Sequence, residues 1–129
     1  MDSILVDTNV LIAFLDSGHI NHEIVLTSLK ARKAHFLMAT VSIIECLVKA
    51  YETAYDFAIA YELTILEFLS GTLDLTQVIA SKAAFLIAST RASFVDAIIW
   101  ATAEIYDLEI WTLDKRLASK DKRFKYLPI

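Results

Sequence analysis

The sequence predicts one α/β domain, with a mostly parallel central sheet of four to five short strands covered by helices on both faces. Three observations predict it. Short apolar runs of strand length alternate with longer segments of helical period, and helices between strands imply parallel pairing through crossovers. The chain has only two Gly and one Pro, too few for the many tight turns of an all-β architecture. No linker, repeat or low-complexity run divides residues 1–129, so the chain reads as a single domain.

Each element has its own signature. Residues 3–7 (Ser-Ile-Leu-Val-Asp) form a buried strand, apolar on both faces and ending in a carboxylate. A helix follows over 8–16, and Gly18 breaks it. Residues 19–33 form a second helix, with Ile20, Ile24, Val25, Leu26 and Leu29 near one face and Lys30, Arg32 and Lys33 in the last turn, where cations suit the helix dipole. Residues 36–38 are a second strand. A helix over 42–50 comes next, then one over 52–68 with Tyr55, Ile59, Leu63 and Leu66 at helical spacing, ended by Ser70-Gly71. A short strand over 73–75 leads to a helix over 76–90, apolar at Val78, Ile79, Ala83, Leu86 and Ile87. Ser93 or Phe94 opens a helix that ends near Asp107. Residues 109–114 form a strand that again ends in a carboxylate, and 124–127 a last edge strand.

Composition narrows the function. Hydrophobic residues make up 57% and the mean hydropathy is +0.53, yet charges interrupt every apolar run before spanning length. The N-terminus lacks any Lys or Arg before Lys30, unlike a secretory signal. Gly18 and Gly71 cannot compose a dinucleotide-binding or Walker-type phosphate loop. A lone Cys46 excludes an internal disulfide and a cysteine zinc site, and fits a reducing cytoplasm. The net charge of −4 conceals an asymmetry. Residues 1–114 hold six Lys/Arg against fifteen Asp/Glu, or −9, and residues 115–129 hold six against one, or +5. An acidic body with a basic tail raises the question of nucleic acid.

Four acids occupy positions that serve either as punctuation or as chemistry. Asp7 and Asp114 end strands, where open α/β sheets bind ligands, but each is also a favoured helix N-cap. Glu45 and Asp96 follow Ser42 and Ser93 by three residues and so complete capping boxes, but both adjoin apolar runs that tend to be buried. Two acids at strand ends and two at helix starts can converge at one end of a sheet. Converging carboxylates repel, which raises pKa values or calls for a cation. Oxygen-only ligands select Mg2+ or Mn2+ over zinc. Such a site suits phosphodiester hydrolysis.

These residues match a known pattern. Val6-Asp7-Thr8-Asn9-Val10-Leu11-Ile12, Ser42-Ile43-Ile44-Glu45, Asp96-Ala97-Ile98-Ile99 and Thr112-Leu113-Asp114 together resemble the PIN-domain nucleases, most closely the VapC-type toxin ribonucleases. The resemblance spans nearly the whole chain. It implies a single PIN-like domain with Mg2+- or Mn2+-dependent endoribonuclease activity, as the toxin of a toxin–antitoxin pair. By the same resemblance Asp7, Glu45, Asp96 and Asp114 are the catalytic and metal-binding quartet. Asp7 and Asp96 contact the metal directly, and Glu45 and Asp114 act directly or through water. Asn9 and Thr112 match supporting polar positions. The family further implies an RNA substrate, a homodimer, a cognate antitoxin, no membrane association and a cytoplasmic location. The alternative is a catalytically silent PIN-like binding or dimerising module.

Within this reading the basic tail gains meaning, because it begins immediately after Asp114. Arg91, Lys115 and Arg116 are the candidate RNA-phosphate contacts, which give affinity without sequence choice. The chain departs from the family by lacking a Pro or basic residue directly before Asp96, with Arg91 as the substitute. His19 and His22 have ligand-pair spacing but no third partner, so they read as surface or helix-start histidines. Cys46 reads as a small core residue. Tyr51, Tyr55, Phe57, Tyr61 and Phe68 form an aromatic stripe, either core or interface.

Overall fold

The computed structural model describes residues 1–128. Five strands, β1 (Asp2–Val6), β2 (Ala34–Ala39), β3 (Gly71–Leu73), β4 (Glu109–Thr112) and β5 (Phe124–Tyr126), form one sheet in the order β3-β2-β1-β4-β5. All four pairings are parallel. Seven helices connect them: α1 (Thr8–Leu15), α2 (His22–Ala31), α3 (Thr40–Thr53), α4 (Tyr55–Phe68), α5 (Gln77–Thr90), α6 (Phe94–Tyr106) and α7 (Lys115–Ala118).

Strand order dictates which face each helix covers. From β1 the chain steps outward to β2 and β3, and then returns past β1 to β4 and β5. Parallel crossovers are right-handed, so the two directions of travel place their helices on opposite faces. Packing agrees. Ile4, Val6, Phe36, Met38 and Trp111 pack with residues of α1 to α4 on one face. Leu5, Ala39 and Ile110 pack with α5, α6 and Leu117 of α7 on the other. The alternation of Ile4, Leu5 and Val6 between two cores is the strand period of two with both faces buried, which is why β1 reads as a continuous apolar run.

The same strand order creates a switch point between β1 and β4. The chain leaves β1 toward one side of the sheet, and β4 lies on the other. A crevice therefore opens beyond the carboxyl ends of these two strands, the usual ligand position in such folds. The pairing continues one residue into it: the Asp7 N–H donates to the Trp111 carbonyl at 2.9 Å.

Several boundaries differ from expectation, each for a local reason. The helix expected over 19–33 begins only at His22, because the Asn21 N–H donates to His19 Nδ1 in the preceding turn. The helix expected at 42 starts at Thr40, directly after β2, and runs to Thr53, so α4 begins at Tyr55 after the extended Ala54. The strand expected over 73–75 lies at Gly71–Leu73. There the Ser70 N–H bonds the Phe36 carbonyl, and Gly71 enters register with Leu37. The strand expected over 109–114 stops at Thr112, since Asp114 is already the N-cap of α7. Among the described residues no helix is long and apolar enough to cross a membrane.

Candidate active site

Asp7 follows β1 and caps α1. Its backbone is extended (φ −70°, ψ 156°), and its Oδ1 accepts the Thr8 N–H at 2.8 Å. The helix-cap and acidic-site readings of Asp7 are thus compatible, because one carboxylate oxygen caps and the other faces β4. That second oxygen, Oδ2, accepts the Thr112 hydroxyl at 2.8 Å.

Thr112, fully buried at the end of β4, is the hub of this end of the sheet. Its Oγ1 donates to Asp7 and accepts from the Asp114 N–H at 3.0 Å and from Asn9 Nδ2 at 3.4 Å. Asn9 in turn accepts the Leu113 N–H at 3.0 Å through Oδ1. Asn9 and Thr112 therefore lock the loop after β4 to the start of α1. Hydroxyl and amide suit this job because each donates and accepts at once.

Asp7 is only 5% exposed. Burial pushes its pKa from 3.8 to about 6, the Thr112 and Thr8 hydrogen bonds oppose this, and the charges of Asp96 and Glu45 push it further up. Two of the other three candidate acids therefore act on Asp7 through space. Glu45 lies on α3 in the second turn, exposed, and its Oε1 accepts the Thr8 hydroxyl at 2.6 Å. Asp96 lies half-buried in the first turn of α6, where the Ser93 hydroxyl caps its N–H at 3.2 Å. Asp114 stands further round. Its Oδ1 caps α7 by accepting the Arg116 and Leu117 N–H groups, and it shares a cavity with Asp96.

The Ser42–Glu45 capping box is corrected. Because α3 begins at Thr40, Ser42 is inside the helix, its hydroxyl is buried without a partner, and Glu45 is released to bond Thr8. The Ser93 box is half right: Ser93 caps α6, and Asp96 faces the site. Among the described residues no three His, Cys, Asp or Glu side chains stand close enough to hold one metal jointly. The convergence expected of the four acids is thus looser than a closed cage, because Thr8 holds Glu45 and the α7 cap holds Asp114.

The remaining candidates resolve simply. His22 Nδ1 meets the Ala13 carbonyl at 2.8 Å and His19 Nδ1 serves Asn21, so both are structural. Cys46 is buried, and burial followed by the Glu45 and Asp7 charges raises its thiol pKa to about 12, so it is neither nucleophile nor ready ligand. The aromatic stripe divides: Phe68 packs between Phe14 and Phe36, while Tyr51, Tyr55 and Phe57 are exposed. Arg91, Lys115 and Arg116 are all exposed near Asp96 and Asp114 in the chain fold, with Arg91 and Arg116 lining their cavity. Thr8, which the sequence offers as a helix start and as part of the Asp7-Thr8-Asn9 motif but not as a site residue, is the side chain that fixes Glu45. Its position directly after Asp7 is the one signal the chain offers for this.

The Asp7 shift makes stability depend on pH. The unfolded carboxyl ionises near 3.8 and the folded one near 6. A raised carboxyl pKa penalises the folded state above pH 6, and the penalty fades as pH falls toward 3.8. For so buried a group it amounts to about 3 kcal/mol. In chelator, the stability deficit of the wild type relative to Asp7→Asn is expected to be larger at pH 7 than at pH 4. Denaturant titrations of both proteins read this directly, and parallel pH profiles refute it.

A doubly wound parallel sheet with an acidic centre at its switch point defines the class of this molecule. The chain belongs to the PIN domain family, whose profile matches residues 4–124. None of the curated proteins matches the sequence. Among solved structures, it is similar to a toxin–antitoxin complex from Klebsiella pneumoniae, with a TM-score of 0.79 and 24% identity over 95% of each chain. It is similar also to VapC20 of Mycobacterium tuberculosis, a toxin that cleaves the sarcin–ricin loop, with a TM-score of 0.76 and 17% identity over 90% of this chain and 93% of that one. VapBC2 from Rickettsia felis, solved with a promoter DNA fragment, gives a TM-score of 0.76 at 11% identity, covering 96% and 98%. At these identities the likeness is one of fold.

Proposed function

We propose that this protein is a divalent-metal-dependent endoribonuclease acting as the toxin of a toxin–antitoxin pair. The observation that carries the reading is Asp7. It is a buried carboxylate at the switch point, raised to about 6 by burial and by Asp96 and Glu45, and a bound cation relieves such a penalty. The donors around it are all oxygen, which suits Mg2+ or Mn2+.

Asp7 and Asp96 would hold the cation, with Glu45 and Asp114 acting directly or through water. When bound, the cation supplies an activated water and charge stabilisation at the phosphodiester oxygens. The protein's own contribution is positioning. Thr112 fixes the rotamer of Asp7 through Oδ2, and Asn9 fixes the loop that carries Asp114. Glu45, held by Thr8, presents a carboxylate that accepts a proton from the attacking water and aligns it. Arg91, Lys115 and Arg116 hold RNA phosphates.

The toxin role rests on the fold shared with toxins solved in antitoxin complexes. It rests also on apolar side chains that a free chain leaves in water: Ile44 and Val48 of α3 and Tyr55 and Leu63 of α4 are each more than half exposed. A homodimer contact and an antitoxin segment are the proposed covers for such faces. On this reading the protein acts in the cytoplasm.

The test is incubation of the purified chain with single-stranded RNA. Cleavage is expected with Mg2+ or Mn2+ and none in EDTA. Intact RNA under every metal condition favours the catalytically silent module instead.

A further inference from the structure

An apolar cavity of about 120 Å3 lies between α5 and α6, walled by Ala83, Ala84 and Ile87 of α5, Phe94 and Ile98 of α6, and Leu75. It is not the cavity that Asp96 and Asp114 share, and the two have no lining residue in common. The hollow exists because α5 carries alanines where a larger side chain would fill it. An apolar cavity of about 150 Å3 in a protein can stay dry and admit a benzene ring. The space between α5 and α6 thus has the size and polarity for one planar ring. It is too small for a drug-sized ligand, which takes roughly 300–1,000 Å3.

Phe94 lines this cavity yet is 73% exposed. The start of α6 does not require it. Ser93 supplies the cap, and the positions that pair across a helix start are here Ala92 and Ala97, both buried. Three other exposed rings have partners: Tyr55 meets Tyr51 at 5.6 Å, Phe57 meets Tyr61 at 5.5 Å, and the Lys82 ammonium sits 5.1 Å over Phe85. Among the described residues Phe94 has no ring or cation against it. Its position is the second observation. Phe94 precedes Asp96 by two residues in the first turn of α6, and residues two apart face different sides of a helix. A strand whose phosphates pass Asp96 can therefore turn one base over the head of α6 onto Phe94.

We infer that Phe94 and this cavity receive one unpaired RNA base that flanks the bond cut at the acidic centre. The inference rests on the nuclease reading and gives it an element that selects substrate. Single-stranded RNA is commonly held through bases splayed out and stacked on aromatic side chains. Phe94 supplies the stacking face, Ala84 leaves the room, and Ile87 and Ile98 surround the base with apolar surface. No side chain lining the cavity donates or accepts a hydrogen bond. The pocket therefore selects by ring size and stacking, not by reading the hydrogen-bonding edge of the base.

The experiment measures binding of a fluorescently labelled single-stranded RNA oligonucleotide to the full chain in EDTA, across a range of salt. A strand of the same length with every base removed is the second probe. The variants are Phe94→Ala, Phe94→Trp, Ala84→Leu, which fills the hollow from its other wall, and Phe85→Ala, an exposed ring outside the cavity. Phe94→Ala is expected to weaken RNA binding about tenfold, as losing one base–aromatic stack does. The slope of log affinity against log salt stays at the wild-type value, because no charge is removed. Ala84→Leu weakens binding in the same way, Phe94→Trp binds within about twofold of wild type, and Phe85→Ala leaves binding unchanged. All proteins bind the baseless strand equally. Phe94 and Ala84 are exposed, so melting midpoints of their variants stay within about 2 °C of wild type. The inference is overturned if the wild type does not bind RNA, if Phe94→Ala and Ala84→Leu bind like wild type, or if the loss persists with the baseless strand. It is also overturned if Phe94→Ala changes the self-association of the free chain in sedimentation, which makes the patch a contact between copies. A wild type that binds in the expected pattern but does not cleave with Mg2+ or Mn2+ overturns the nuclease reading and supports the base pocket. A wild type that cleaves, with Phe94→Ala and Ala84→Leu binding normally, does the reverse.

Discussion

Replacing Asp7 with Asn is expected to lower RNA cleavage on the order of a thousandfold, the scale of losing a group that acts mainly in the transition state. The change removes the one candidate acid that is buried. It also spoils the local hydrogen bonding. An Asn side chain has one oxygen for two donors, the Thr8 N–H and the Thr112 hydroxyl, where the carboxylate has two. Turning Nδ2 toward Thr112 helps little, because that hydroxyl oxygen already accepts from Asn9 and Asp114. Folding is expected to survive, since the variant no longer carries the penalty of a buried charge at neutral pH. This separates lost chemistry from lost structure. The second readout is thermal: a metal at a hundred times its dissociation constant stabilises the wild type by about 2.7 kcal/mol, and the variant is expected to lose most of that gain. Cleavage within tenfold of wild type, with the metal-induced shift intact, removes Asp7 from the site.

Trp111→Ala is expected to destabilise the fold by about 3–5 kcal/mol, a large part of the roughly 5–15 kcal/mol that holds a domain together. Trp111 lies in β4, an interior strand between β1 and β5, and is 2% exposed. Its ring packs against Phe36 of β2 at 5.6 Å, under the shelter of α1 to α4. Its indole N–H donates to Glu109 at 2.7 Å. Truncation opens a void between the sheet face and the helices that cover it, and because the sheet hydrogen bonds hold the strands in place, collapse cannot fully restore the packing. The Trp111 carbonyl still accepts the Asp7 N–H, so the site's backbone register is retained in whatever fraction remains folded. Denaturant unfolding checks this, and a loss below about 1 kcal/mol means that neighbouring side chains refill the space.

Much of the fold is legible in the chain because its signals are local. The caps Thr76, Ser93 and Asp114 each mark a helix start in the chain and accept the expected N–H in the structure. The continuous apolar run of β1 announces a strand with both faces covered. Boundaries differ where a tertiary contact overrides the local signal. Ser42 looks like a cap, but α3 begins at Thr40 directly after β2, so its hydroxyl is carried into the core without a partner. β3 is set by pairing with Leu37 to Ala39 rather than by its own apolar residues. The candidate acids are legible as a set, because acids at strand ends and helix starts are visible in the chain. Their relations are not. Nothing in the sequence shows that Thr8 ties down Glu45 across thirty-seven positions, or that Thr112 links Asp7, Asn9 and Asp114.

Periodicity and capping act over a few residues. The order of amino acids alone therefore sets the alternation of strands and helices, the two-faced burial of the sheet and the candidate acids. Three-dimensional packing sets the strand order, and with it the switch point between β1 and β4. Packing also makes Asp7 buried and hard to ionise while Glu45 and Asp114 stay exposed, and it leaves Phe94 in water beside an apolar cavity. These are properties of segments distant in the chain, and desolvation and charge repulsion arise only once folding brings those segments together.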